Sequence, residues 1–254
     1  MRVPDCRVDP AGGELRRLSR HPFVLGHQSV GAALLAAVRQ ELGPASSVVT
    51  EWKPGDPVRP GLLHFRVGRN TDPVSKIEAF ERALASWPAG LPGAAGFKFC
   101  FVDFDRDTDV EGLFARYRDA VRRVERDHPG LVVYHVTVPL AVDDSLPRRL
   151  AKDLLGRPTS RALNRRREEF SDFLRREWGR QGLVFDLAAL EAGEDLPPGG
   201  TGAAGDGRRA LVAGWTEDGA HPSRAAARYL GCRLVRFLAG PVARALPGET
   251  GEEP

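Results

Sequence analysis

Ser29 sits in "VLGHQSVGAALLAAV", residues 24–38, where an apolar run ends at Gly26 and a helix-like run begins. Asp218 and His221 sit nearly two hundred residues later, three apart, in "EDGAHPSRAAARYLG". A serine, a histidine and an aspartate are the groups that acyl transfer needs: a nucleophile, a base, and a carboxylate that fixes the base's tautomer and stabilises its imidazolium form. A carboxylate three residues before a histidine, in a turn just ahead of a helix, can hold one ring nitrogen and leave the other facing a serine. Taken alone, Ser29 reads as a helix cap, His221 as a loop histidine and Asp218 as a turn former. The capping-box partner of Ser29 is absent, because position 32 is Ala. It is the joint placement of the three that points to chemistry.

The elements that would carry these residues alternate along the chain. Strand-like runs span 23–25, 62–67, 97–104, 131–138 and 183–187, with an edge-strand candidate at 47–52. Between them apolar residues recur every three or four positions: Leu34, Leu35, Val38 and Leu42; Ile77, Phe80, Leu84 and Trp87; Leu113, Phe114, Tyr117 and Val121. Strands alternating with helices imply right-handed crossovers and a parallel sheet covered on both faces. The expected architecture is therefore a doubly wound α/β, flavodoxin-like fold with five parallel strands. In such a sheet the loops after the strands share one rim, where ligands bind. The first strand delivers His27, Gln28 and Ser29 to that rim, the second Gly68 and Asn70, and the third the acidic run Asp103 to Asp109. The loop that follows the last strand leads to Asp218 and His221.

On these residues the sequence resembles the SGNH (GDSL-type) hydrolases. "DGAHPS" is similar to the family's D-x-x-H motif ahead of the last helix, and "GHQSVG" stands in the place of its G-D-S block, with Gln28-Ser29 where Asp-Ser would be. The resemblance spans about residues 20 to 240. It implies a serine ester hydrolase with Ser29, His221 and Asp218 as the triad, no cofactor, and Gly68 as the glycine oxyanion donor after the second strand. The family's asparagine, in a G-x-N-D-like turn, should follow the third strand. This chain has "FCFVDFDRD" there. Independently of the family, Asn70 is a local candidate for the missing amide. His27 is weighed between a structural hydrogen bond across the turn and contact with substrate. The alternatives of an O-acyltransferase and a non-catalytic SGNH-like binding protein stay open at this point.

Domain organisation follows as an N-terminal extension over 1–20, the hydrolase-like domain over 21–240, and a tail over 241–254 expected to be disordered. Residues 191–210 have loop composition. Lys98, in the middle of the third strand-like run, is expected to reach a carboxylate or the rim. Asp107 or Thr108 is expected to cap the next helix, which leaves little support for a metal. The expected partner is a small-molecule or carbohydrate ester. Nucleic acid is disfavoured, because the 37 basic residues (33 of them Arg) are interleaved with 34 acidic ones and the net charge is only +3. No apolar run of about 18 residues exists, so no membrane partner is expected. Three cysteines without CxxC spacing, Cys6, Cys100 and Cys232, do not suggest a disulfide framework, and with no signal-like N-terminus the expected location is cytoplasmic.

Overall fold

The computed structural model describes residues 3–9, 12–196 and 209–248. The expected fold is the fold found. Five parallel strands form the main sheet in the order β2-β3-β1-β4-β5. They are β1 (Pro22–His27), β2 (Val49–Glu51), β3 (Gly61–Arg66), β4 (Gly93–Phe97) and β5 (Leu131–Val133). β1 lies at the centre, in register with β3 from Pro22↔Gly61 to His27↔Arg66 and with β4 from Phe23↔Ala94 to Gly26↔Phe97. All six of its residues are buried, as expected of a parallel strand with helices on both faces.

One expectation about strands is corrected and one is borne out. The run 183–187 does not join the main sheet. β7 (Val184–Phe185) pairs instead with β6 (His135–Val136), which follows β5 after a one-residue break at Tyr134. The chain over 131–136 thus turns its first half to β4 and its second half to β7. The edge candidate is a real strand: β2 pairs with β3. Counted in chain order, β3 is therefore the third strand of the sheet, and the turn that follows it is Gly68-Arg69-Asn70-Thr71.

Helices cover both faces. One core cluster packs α1 (Gly13–Leu18), α2 (Ser29–Leu42), α7 (Leu187–Glu191) and α8 (Arg224–Phe237) on one side of the sheet. The other packs α3 (Pro73–Leu84), α4 (Val110–Asp127) and α6 (Ser160–Trp178) on the opposite side. The helix cap of α4 is Asp109, whose carboxylate accepts from Gly112 N, while Asp105 and Thr108 bond to each other in the preceding turn. The cap expected at Asp107 or Thr108 is one or two residues off, because these side chains close their own local turn first.

The helices that matter most for the rim are α2 and α8. Gly231 on α8 packs so closely on α2 that a Cβ there would stand 2.8 Å from the Leu34 carbonyl oxygen. That contact fixes two helix N-termini together. α2 begins at Ser29, and α8 begins three residues after His221.

The N-terminal extension is part of this core rather than an appendage: Cys6, Val8, Leu15 and Leu18 are buried. The tail is likewise packed as far as Leu246, with Val242 and Ala243 buried. These apolar side chains have core surface to bury against, so the disorder expected from 241 onward is corrected for 241–248; residues 249–254 lie outside the described residues, as do 197–208 of the loop-like segment. Cys6 and Cys232 form a disulfide, and Cys100 is free and buried. The cysteine count did not suggest a disulfide framework, because nothing local in the sequence shows that the extension docks beside α8.

Candidate active site

Ser29 is the first residue of α2 rather than its cap, and the cap position, Gln28, makes no side-chain capping bond. The Ser29 hydroxyl faces the loop before α8. Its Oγ lies 3.0 Å from His221 Nε2, and His221 Nδ1 lies 2.7 Å from Asp218 Oδ2. A carboxylate only accepts, so Nδ1 carries the proton and the neutral ring leaves Nε2 as acceptor for the serine O–H. Asp218 also accepts the backbone N–H groups of His221 and Ala220 at 2.8 and 2.9 Å. These backbone bonds, with that from the imidazole, hold its carboxyl well below the usual carboxylate range.

The loop itself is braced. Thr216 pairs with Pro222, Ser223 N donates to Trp215 O, and the Trp215 side chain is buried. Gly219 N donates to Thr216 Oγ1, and Gly219 O accepts Val142 N at 2.8 Å. The Phe101 ring stands edge-on to His221 with centroids 5.5 Å apart. Ser29 is exposed, so both an ester and water can reach it.

The turn after β3 forms the neighbouring wall. Val67 N donates to His27 O, which extends the β1–β3 ladder up to the serine turn. Gly68 has φ +53°, and a Cβ there would lie 2.6 Å from Lys76 N; only glycine fits. Gln28 Nε2 donates to Val67 O at 3.0 Å and to Gly68 O at 2.9 Å, so the residue before the serine grips this turn. Asn70 Oδ1 accepts from Lys76 Nζ at 3.1 Å. Because an ammonium only donates, this bond fixes the amide's orientation and leaves its NH₂ as the free-facing end.

Sequence reasoning missed Lys76. It is buried and ion-paired with buried Asp103 at 2.5 Å. Asp103 also accepts Thr71 N at 2.9 Å and Cys100 N at 2.6 Å. One carboxylate therefore ties the turn after β3 to the segment after β4. The signal available was weak: a lysine one residue before Ile77 in an otherwise apolar helical stripe. Lys98, which was expected to reach a carboxylate or the rim, instead stays buried, donates to Phe99 O and lies near Cys100 Sγ, and burial lowers its pKa.

His27 is not brought to the opening, so of its two readings the structure shows the structural hydrogen bond across the turn and not substrate contact. It is buried, Nδ1 donates to Gln28 O at 3.0 Å, and Nε2 accepts from His64 Nδ1 at 3.1 Å. Burial lowers its pKa to about 4. Among the described residues no group of three or more His, Cys, Asp or Glu is placed to hold a metal ion.

No protein-family model matches the chain, and no curated protein sequence matches it significantly. Solved structures do. A lipase/acylhydrolase from Enterococcus faecalis is 18% identical, with a TM-score of 0.51, over 87% of this chain and 96% of its own. A protein described as a "putative platelet activating factor from Streptococcus pneumonia" is 15% identical, with a TM-score of 0.48, over 89% of both chains. The first shows that this chain shares the fold of a lipase/acylhydrolase, as the resemblance to SGNH hydrolases implies.

Proposed function

We propose that the protein is a serine ester hydrolase acting through a covalent acyl-enzyme. The observation that carries the reading is the Ser29–His221–Asp218 relay on an exposed rim, with both links at hydrogen-bond distance. The fold shared with a lipase/acylhydrolase supports it. Ser29 Oγ attacks the ester carbonyl carbon while His221 Nε2 takes the hydroxyl proton. The C–O bond to the alcohol then breaks, and the alcohol leaves with that proton. Water attacks the acyl-enzyme, His221 takes its proton, and the acid departs as Ser29 recovers its hydrogen. Asp218 stays ionised throughout and stabilises the imidazolium.

The negative charge on the tetrahedral oxygen needs donors. This reading assigns them as the backbone N–H of Ser29 at the start of α2, the N–H of Gly68, and the Asn70 amide NH₂. Gly68 keeps the place the resemblance gives the family's glycine donor, and the "FCFVDFDRD" segment after β4 holds no asparagine. Asn70 is assigned here on its position beside Gly68 and not by the resemblance.

The test is hydrolysis of p-nitrophenyl acetate together with labelling by a fluorophosphonate probe. The wild type should turn over the ester and take the label, and Ser29→Ala should do neither. Absence of both in folded wild type would favour a non-catalytic binding protein. Labelling that survives in Ser29→Ala would mean another serine is the nucleophile.

A further inference from the structure

The segment after β6 carries the molecule's most exposed leucines. Helix α5 (Leu146–Leu154) has no buried residue. Leu146 and Leu150 are each 59% exposed, Leu154 88%, and the adjoining Leu155 66%. Leu146, Leu150 and Leu154 recur every four residues and so form one stripe, with Pro147 and Ala151 beside it. The opposite face carries Arg148, Arg149 and Lys152. Part of that polar face is turned to the protein: Lys152 Nζ binds both oxygens of Asp144, at 2.7 and 2.9 Å, and Arg149 is half-buried, whereas Arg148 stays exposed at its border. An amphipathic helix in a soluble chain normally does the reverse. Contiguous exposed leucines of this kind mark an interaction surface.

The position of the helix bears on the candidate active site. Val142 N binds Gly219 O, inside the loop that holds Asp218 and His221. Leu146 is four positions on from Val142, so their Cα atoms are at most about 14 Å apart. Val102, the remaining large exposed hydrophobic residue among those described, follows Phe101, whose ring stands against His221. Exposed apolar side chains thus lie on two stretches of chain that each run on from a residue, Val142 or Phe101, in contact with the catalytic loop.

Charge indicates the occupant. Over α5 and its flanks, residues 145 to 157, there are four Arg or Lys against one Asp, whereas the whole chain has a net charge of only +3. Arg148, Arg157 and Arg165 are exposed. A leucine stripe bordered by arginines fits a surface that is apolar inside and anionic outside. A second copy of this same basic segment would meet like charge.

We infer that α5 is an interfacial helix that seats the protein on an anionic lipid surface, with the leucines in the acyl boundary and the arginines at the headgroups. No described helix is long and apolar enough to cross a membrane, so the helix lies on the surface rather than spanning it. The expectation of no membrane partner considered spanning alone. On the hydrolase reading proposed above, the substrate class becomes esters of lipid-borne amphiphiles, delivered beside Ser29.

Flotation with vesicles tests the docking apart from the chemistry. Wild type and Ser29→Ala should both float with phosphatidylcholine vesicles containing about a third phosphatidylglycerol, much less with phosphatidylcholine alone, and less as salt rises. Leu150→Glu/Leu154→Glu should partition about tenfold or more weakly, from the loss of two buried leucines. Both positions are solvent-facing, so an unchanged thermal melt will show that the variant folds. Failure of the wild type to float, or undiminished floating of the double variant, would overturn the inference. So would a wild-type dimer in sedimentation that the double variant converts to monomer without any vesicle binding. The p-nitrophenyl acetate rate reads the proposed chemistry alone: vesicle binding without that activity would remove the hydrolase reading and leave the docking surface standing.

Discussion

Gln28 shows how one side-chain type can decide a wall of the candidate site. Its amide donates to two carbonyls of the Gly68 turn, which a carboxylate cannot do. Gln28→Glu would set a negative oxygen against the Val67 and Gly68 carbonyls. The expected outcome is a stability loss of about 1–3 kcal/mol and a lower kcat, read by thermal melting and ester turnover. Asn70 is the sharper probe of the proposed oxyanion hole. Its bond to the tetrahedral oxygen would form mainly in the transition state. Asn70→Ala should therefore lower kcat by about 10² to 10³ while KM moves little. Wild-type kcat in that variant would mean that Asn70 only shapes its turn, and that backbone amides make up the hole.

At the scale of elements, β3 and its turn are held by buried ionisable groups on both sides. Lys76→Met would strip buried Asp103 of its cation and Asn70 of its donor. Breaking a buried pair from one side costs about 3–5 kcal/mol, so urea unfolding should shift strongly, with kcat falling in the fraction that remains folded. On the other side His27 and His64 bond to each other between β1 and β3. Burial lowers the pKa of both, His27 from 6.5 to about 4. An unfolded His27 takes up a proton below pH 6.5, while the folded one resists until about pH 4. Stability is then full above pH 6.5 and falls as pH drops through that window, by on the order of 3 kcal/mol for His27. Urea midpoints at pH 7 and pH 4.5 check this, and His27→Asn should flatten the difference. The same elements show what was legible in the sequence. Helix stripes such as Leu113–Phe114–Tyr117–Val121 could be read directly, because only a 3.6-residue period buries them together. β4 was misplaced, at 97–104 instead of Gly93–Phe97, because its Gly-Ala-Ala-Gly core carries little hydrophobic signal; Gly96 has to be small beneath Tyr134. The D-x-x-H turn was legible because both residues lie within one short loop. The Lys76–Asp103 pair was not, because its partners are 27 residues apart and meet only across the finished sheet.

For the whole molecule, the long-range tie is the Cys6–Cys232 disulfide, whose ends are 226 positions apart in sequence. It fastens the N-terminal segment to α8, the helix that follows His221. Ion pairs run alongside it, Asp5 with Arg228 at 2.9 Å and Glu14 with Arg236 at 3.3 Å. These are exposed and worth little each, so the covalent bond and the buried Val8, Leu15 and Leu18 carry the attachment. Closing so long a loop restricts the unfolded chain, by about 5 kcal/mol in the entropic model and about 2–5 kcal/mol in typical proteins. At about 2–4 °C per kcal/mol for a chain of this size, reduction or Cys6→Ser should lower Tm by about 5–15 °C. Thiol titration supplies the control. The denatured, unreduced protein should show one reactive thiol, that of Cys100, and the reduced protein three. We expect the bond to persist only in an oxidising compartment, which departs from the cytoplasmic location expected from the cysteine count and the N-terminus. Because α8 also sets the loop of Asp218 and His221, the reduced protein should lose ester turnover at a lower temperature than the oxidised one. Equal melting of the two forms would show that the disulfide adds nothing to stability beyond what buried Val8, Leu15 and Leu18 supply. Three thiols in the unreduced protein would show that the bond does not form.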